Sequence, residues 1–424
     1  MGNPPFRGAR KKNDDQAEDI QDIFKGVKNI GNLDYVACWY KKAAEMMSGT
    51  AIRTALVSTN SICQGEQVAI LWKDLFAQGV HIDFAYRTFR WDSEAAIKAH
   101  VHCIIVGFST VPNSADKMLY DGEAKRIVKN INGYLVEADD IVVECRKKPI
   151  SNVPQIGMGN QPIDGGNYLF AVEEMQAFIK KEPASAKYFR KWLGSDEFIN
   201  GYYRYCLWLG DCTPKELISM PECMKRVEAV RQFRQSSSRA STVKMADKPT
   251  HFQTENMPKS TFILIPKVSS ERRRYIPMGF MTPETLCSDL VFIIPDAELY
   301  HFGVLTSNVH MAWMRAVAGR LEMRYRYSKD IVYNNFPWPS PTLEQKAKIE
   351  KTAQHILDVR AKYSDSSFAD MYGDNMYLYG DLVTAHQLND RAVMEAYGFW
   401  GKLNTESECV AELMKMYQKL TEKE

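Results

Sequence analysis

The sequence predicts an α/β sheet, incomplete at its start, over residues 1–109, then an α+β region over 110–340 and a helical segment over 341–424. Three observations carry this division. In the first stretch, apolar runs of strand length alternate with runs of 3.6-residue periodicity, the pattern of a sheet covered by helices. In the second, short strand-like runs are separated by Gly/Pro/Asn-rich turns, with one basic helical stretch among them. In the third, apolar residues return at helical spacing with charges between them.

Taken in order, residues 34–47 read as a helix. Asp34, just after Gly31-Asn32, is placed as its cap, Val36, Tyr40, Ala43 and Met47 fall on one face, and Lys41 and Lys42 form the solvated side. A strand at 55–59, a helix near 66–77 and strands near 80–89 and 101–108 follow. Beyond residue 110, the strand-like runs are 134–136, 141–144, 261–266 and 290–294. The C-terminal helices are read at 343–363, 381–397 and 404–423, with a Ser/Asp/Gly-rich connection over 364–379. They read most simply as a cap over the edge of the fold.

Composition narrows the classes. The 424 residues exceed one ordinary core, and apolar content is that of a multi-domain globular protein. No run of eighteen or more uncharged apolar residues occurs and the N-terminus lacks a signal-peptide pattern, so neither a membrane nor a secreted location is expected. The nine cysteines are scattered without a Cys-x-x-Cys pair, which points to a reduced, cytoplasmic setting and to no metal. Of the eight histidines, His100 and His102 have no acid partner at catalytic spacing and are assigned to packing or surface roles, and His386 is assigned a structural role on a helix. A net charge of +2 means that any nucleic-acid binding must come from local basic patches.

Chemistry is concentrated at the start, in Asn3-Pro4-Pro5-Phe6. The exocyclic amine of adenine is a poor nucleophile because its lone pair is delocalised into the ring. The Asn3 side-chain carbonyl would accept one amino hydrogen, and the Pro4 backbone carbonyl the other, from a backbone that two prolines stiffen and strip of N–H groups. Phe6 would stack on the extruded base, returning roughly 1–3 kcal/mol against an extrusion cost of about a few kcal/mol. The plainer alternative is a Pro-Pro loop with Phe6 as a packing residue.

The basic residues form three groups. Residues 224–248 carry Lys225, Arg226, Arg231, Arg234, Arg239, Lys244 and Lys248 beside an apolar set Val227, Val230 and Phe233. Arg231 and Arg234 are placed together on a phosphate-tracking face, the alternative being a solvated surface beside Glu222 and Glu228. Arg272, Arg273 and Arg274 are read on a strand continuation or hairpin shoulder, Arg272 and Arg274 on one side for DNA phosphates and Arg273 on the other. Arg320 and Arg324, four apart, are placed on one helical face. The Pro-stiffened aromatic run Tyr333–Pro339 is assigned an architectural role.

Several motifs, in order, then resemble one family. Asn3–Phe6, Leu33-Asp34-Tyr35-Val36-Ala37, the run 57–67 (Val-Ser-Thr-Asn-Ser-Ile-Cys-Gln-Gly-Glu-Gln), Phe84–Trp91 and Ala99–Phe108 are similar to the later methylase motifs of single-polypeptide type II restriction–modification enzymes of the MmeI group. Tyr325–Ser328 and Val332–Pro339 extend the similarity to the end of a region resembling their target-recognition domain. The resemblance implies an α/β partial methyltransferase sheet followed by an α+β target-recognition domain and a helical C-terminal segment. It implies a gamma-class, S-adenosylmethionine-dependent, adenine-specific methyltransferase of duplex DNA, with Phe89, or Trp91 if the alignment slips, stacking on the base opposite Phe6. Edge packing on the sheet is the alternative for both rings.

The beginning departs from that family. There a nuclease segment, a spacer and the cofactor half of the methylase precede the Asn-Pro-Pro-Phe element, and here Met1-Gly2 do. The one Gly-x-Gly, Gly157-Met158-Gly159, is followed by Asn160-Gln161-Pro162 and Gly165-Gly166 and reads as loop, so cofactor-binding residues are not identified. The expectation is therefore a chain that lacks the cofactor half and a possible nuclease, inactive alone. Two other readings are a noncatalytic sequence-specific DNA-binding module and, more distantly, an RNA adenine methyltransferase. Cytosine C5 chemistry is disfavoured because no Pro-Cys dipeptide supplies its nucleophile.

Overall fold

Residues 1–91, 101–111 and 115–422 are described by the computed structural model of the chain, with backbone only at Trp91. His100 and the side chain of Trp91 therefore lie outside the described residues. The chain packs as two units. One comprises Met1–Val153, Asn308–Gln345 and Val393–Glu424, the other Pro154–Ser307 and Lys346–Ala392.

The first unit is built on a five-stranded sheet of β1 (Arg53–Thr59), β2 (His81–Trp91), β3 (Val101–Ser109), β4 (Lys117–Asp121) and β5 (Ala124–Val128), in the order β1-β3-β2-β4-β5. β3 runs antiparallel to both β1 and β2, so those two run in the same direction, and β4 lies parallel to β2. The other side of β1 takes Gly2 as a parallel neighbour of Leu56. Gly107 of β3 faces Phe84, whose ring lies where a Cβ would come within 2.1 Å, so only glycine fits beside that aromatic.

Helices α1 (Asp14–Ile23), α2 (Ala37–Met47) and α3 (Gly65–Ala77) belong to the same unit. α2 presents Val36, Tyr40, Ala44 and Met47 inward. Tyr40 stacks on Phe108 at 5.2 Å and shares a hydrogen bond of 2.9 Å with Ser58, while Trp72 of α3 donates to the Ile62 carbonyl at 3.0 Å. Each of these large rings is fully buried and contributes about 2–3 kcal/mol of transfer free energy. Lys41 is not solvated as expected: it bridges α2 to α3 through Asp74 at 2.7 Å.

Two strand-like runs form no strand, because side chains take up their backbone groups. Asn132 accepts the N–H groups of Tyr134 at 3.0 Å and Val136 at 3.4 Å, closing 132–136 into a turn in which Leu135 has φ of 55°. Over 141–144, the Val143 N–H goes to the Tyr134 hydroxyl at 2.9 Å and the Glu144 N–H to the Tyr417 hydroxyl at 3.2 Å. The aromatic run near 333–338 is architectural within this unit. Tyr333 and Phe336 are buried, Asn334 donates to the Arg146 carbonyl at 2.8 Å, and Asn335 donates to the Glu144 carbonyl at 2.8 Å.

The second unit holds two four-stranded sheets. One orders Gly279–Met281, Phe262–Pro266, Val291–Pro295 and Gly157–Met158, and the other Thr285–Cys287, Phe189–Leu193, Arg204–Leu207 and Leu169–Phe170. Its basic helix, Pro221–Gln235, is capped from outside by Glu182, whose carboxylate accepts the N–H groups of Glu222 at 3.1 Å and Cys223 at 2.8 Å. Of the late helices, Leu343–Lys362 and Gly380–Tyr397 lie mostly in this unit and Glu406–Thr421 in the first, with shorter turns at Phe368–Met371 and Met376–Leu378 inside the connection. His386 is a packing residue, stacked on Tyr275 at 4.1 Å and bonded to the Tyr372 hydroxyl at 2.8 Å. Among the described residues, no helix is long and apolar enough to cross a membrane.

Candidate active site and nucleic-acid interface

Gly2 is held on β1 by two backbone bonds, its N–H to the Ala55 carbonyl and the Val57 N–H to its own carbonyl, both 3.0 Å. Because the pairing is parallel, the next residues run alongside the last residues of β1. Pro4 and Pro5 bring no N–H groups, so the ladder stops there. Asn3 and Pro5 are exposed, Pro4 is buried and Phe6 is half-buried. The tetrapeptide therefore leaves the sheet at the carboxyl end of its strand, the end at which open α/β sheets take ligands.

A single carboxylate ties the neighbouring segments together. Asp34 is 7% exposed and does not cap α2, whose N-cap is Val36. Instead, Oδ1 accepts the Ala9 N–H at 2.8 Å and Gln67 Nε2 at 3.2 Å, and Oδ2 accepts the hydroxyls of Ser61 and, at 3.4 Å, Thr59. The Asp34 N–H returns a bond to Gln67 Oε1 at 3.0 Å. Arg7 is tied nearby, its carbonyl accepting the Tyr35 N–H at 2.9 Å. A buried carboxylate must find several donors. Here they come from the loop after the tetrapeptide, from the end of β1 and from α3. The sequence signal was an acidic residue inside the apolar run Leu33–Ala37, and capping was the wrong use to infer from it.

Phe89 lies near the end of β2, past a register shift between Tyr86 and Phe89, and is half-buried. It pairs with Cys103, which pairs on its other side with Thr59. Thr59, Cys103 and Phe89 thus form one row across three strands, at the same end of the sheet at which Asn3 departs.

The arginines separate into different environments. Arg234, assigned to a DNA-facing stripe, is fully buried, and its five N–H donors meet five backbone carbonyls: Ile163 at 2.9 Å, Met245 at 3.0 Å, Lys248 at 3.0 Å, Pro162 at 2.8 Å and His251 at 2.7 Å. Burial lowers its pKa from the ordinary guanidinium value. Phe233, assigned to the apolar stripe, is 45% exposed instead. The buried face is Cys223, Val227, Val230 and Arg234. Seven residues return a helix to within about 20° of one direction, whereas the six between Val227 and Phe233 leave it about 120° away. Arg231 stays partly exposed beside Glu228 at 3.3 Å.

Residues 271–275 form turns and not a strand. Arg272 and Arg274 are nonetheless exposed and Arg273 half-buried, with Arg272 paired to Asp374 at 2.9 Å and Arg274 over the Tyr275 ring at 5.4 Å. Arg320 and Arg324 are not on a helix. Gly319–Leu321 and Arg324–Arg326 make a hairpin whose turn contains Glu322 at φ of 59°. Arg320 stands opposite Tyr325 and Arg324 opposite Leu321, so the two arginines point to opposite faces.

Comparison with known proteins places this architecture. Residues 1–121 match the MmeI DNA-methyltransferase domain, 137–340 the MmeI target recognition domain and 342–423 the MmeI C-terminal domain. The solved type IIL restriction-modification enzyme MmeI in complex with DNA superposes with a TM-score of 0.93 at 44% identity, over 99% of this chain and 57% of that one. The chain belongs to the MmeI family. DNA methyltransferase A of Bacillus subtilis (strain 168) is 40% identical over 423 residues, and the chain spans 48% of that relative's length. Family membership implies S-adenosylmethionine as methyl donor. The Gly-x-Gly of this chain does not fit a cofactor turn: Gly157 pairs with Ile293 in a strand, and a Cβ on Gly159 would lie 2.1 Å from the Ser288 carbonyl.

Proposed function

We propose that the intact protein is a site-specific adenine methyltransferase of duplex DNA within a restriction–modification system, and that this chain supplies its base-binding motif and sequence recognition. Asn3 Oδ1 and the Pro4 carbonyl accept the two hydrogens of the exocyclic amine. This draws the nitrogen lone pair out of ring conjugation, while Phe6 and Phe89 flank the base. The observation that carries the reading is an exposed asparagine followed by two prolines where a strand leaves the sheet at its carboxyl end. S-adenosylmethionine supplies the methyl group, and we assign its binding to sequence outside this chain. We take 1–109, 110–340 and 341–424 as the sequence modules and place the protein in the cytoplasm.

The test is methyl transfer onto plasmid DNA by the full-length gene product and its Asn3→Ala version. A fall of about a hundredfold or more is expected, as for loss of one positioned hydrogen-bonding group at a reacting centre. Equal rates would remove Asn3 from the mechanism. The 424-residue chain alone is expected to transfer no methyl above background, and detectable transfer would overturn that part.

A second reading, a noncatalytic sequence-specific DNA-binding module, is favoured by the match of residues 137–340 to the MmeI target recognition domain. It predicts duplex binding by the chain without any gain in methylation when an upstream half is restored.

A further inference from the structure

In the first unit a polar cavity of about 410 Å³ has four arginines among its lining residues, Arg87, Arg126, Arg315 and Arg320, and one acidic residue, Glu406. Like charges gathered around one space repel one another unless an anion occupies it. Two of the four are already neutralised: Arg87 by Asp121 at 2.8 Å, and Arg315 by both oxygens of Glu406 at 2.8 and 2.7 Å. Arg320 is not. Its guanidinium lies 4.2 Å over the Tyr325 ring and donates to the Met323 carbonyl at 3.1 Å, which fixes its direction while leaving its charge unbalanced. Arg126 is exposed on β5.

Two further observations point to an anion. Ser407 lines the same space, and its Oγ is buried with no hydrogen-bond partner. Ser407 also lies in the first turn of the sixteen-residue helix Glu406–Thr421, capped by Thr405, so that helix directs the positive end of its dipole toward the cavity. A smaller cleft shares Arg87, Arg315 and Arg320 and adds Asn60, Gln64 and Thr88, residues at the carboxyl ends of β1 and β2.

We propose that this cavity seats one phosphodiester of duplex DNA, gripped by Arg126 and Arg320 and the Ser407 hydroxyl, beside the base-binding end of the sheet. The proposal rests on the DNA-modifying reading above. Guanidinium forks suit two phosphate oxygens, and such a contact sets register without reading sequence.

The test measures binding of the 424-residue chain to a mixed-sequence duplex across a salt series, with the Arg126→Ala/Arg320→Ala double variant and Glu406→Gln alongside. The double variant is expected to bind on the order of tenfold more weakly at low salt. Its slope of log affinity against log salt should be shallower by about one, the signature of one lost phosphate contact. Glu406→Gln removes the one lining carboxylate and should tighten binding a fewfold, a gain that misfolding would not produce. An unchanged slope in a double variant with wild-type thermal stability would overturn the proposal while leaving the DNA reading intact. Absence of any duplex binding by the wild-type chain would overturn both. Thermal stabilisation by inorganic phosphate, lost in the double variant while the DNA slope stays unchanged, would reassign the cavity to free phosphate and so also overturn it.

Discussion

Arg234 in the second unit and Arg320 in the first are the same residue in equally basic sequence, and they do opposite work. Arg234 is fully buried with all five donors given to backbone carbonyls. Arg320 spends one donor on the Met323 carbonyl, rests on Tyr325 and faces a cavity. What separates them is the supply of unpaired carbonyls. The loop 162–166 turns through Ile163 at φ of 49° and two glycines at positive φ, and so leaves carbonyls that no ladder satisfies. A hairpin satisfies most of its own and leaves its arginine free for a ligand.

The largest expected effect comes from breaking the first member of the pair. Arg234→Met keeps the volume but leaves five carbonyls without their donor, the one of Pro162 buried and the other four partly so, at about 1–3 kcal/mol for each that water cannot reach. Allowing for relaxation and entry of water, a loss of about 4 kcal/mol or more is expected in denaturant unfolding of the second unit. A loss under about 1 kcal/mol would mean that the guanidinium is no staple.

Acid sharpens the contrast between the units, because each holds a buried histidine. Burial pushes the His310 imidazole down from 6.5 to about 3, and burial, aided by the nearby Arg360 and Arg274, holds His386 well below its ordinary value. Both are neutral in the fold, and the unfolded chain gains protons below about pH 6.5. Stability is therefore complete above that pH and falls toward pH 3, by about 1.4 kcal/mol per pH unit for His310 alone. Urea midpoints between pH 7 and pH 5 measure this, and His310→Gln should flatten the slope. An unchanged slope in that variant would show the group to be solvated.

Arg320→Ala should cost stability only about 1 kcal/mol, from one hydrogen bond and one cation–π contact. A larger loss in thermal unfolding would make Arg320 a staple too and erase the distinction. Smallest is Arg272→Ala. Its pair with Asp374 is exposed, so the melting temperature should move by no more than about 0.5 kcal/mol of stability implies.

Much of the first unit was legible in the sequence. The strands at 53–59, 81–91 and 101–109 and the helices Ala37–Met47 and Gly65–Ala77 lie within a few residues of the periodicity reading, because burial on one face imposes a regular apolar repeat. The runs at 134–136 and 141–144 misled for the complementary reason. Local apolar composition reports burial, whereas strand formation also needs a partner backbone, and here Asn132, Tyr134 and Tyr417 took that place. Arg320 and Arg324 misled because the preceding helix ends at Val317 and a two-residue turn intervenes, so a four-residue spacing meant opposite faces of a hairpin.

By itself the amino-acid order determined the Asn-Pro-Pro-Phe element, the alternation of strands and helices and the family motifs. All of these depend on residue type and short spacing. Only the tertiary structure decided that Asp34 ties three segments together, that Arg234 is interior and that four arginines from β2, β5, a helix and a hairpin line one cavity. A charged side chain has no fixed role along the chain. Its role is set by which distant backbone or charged groups the fold brings within about 3 Å of it.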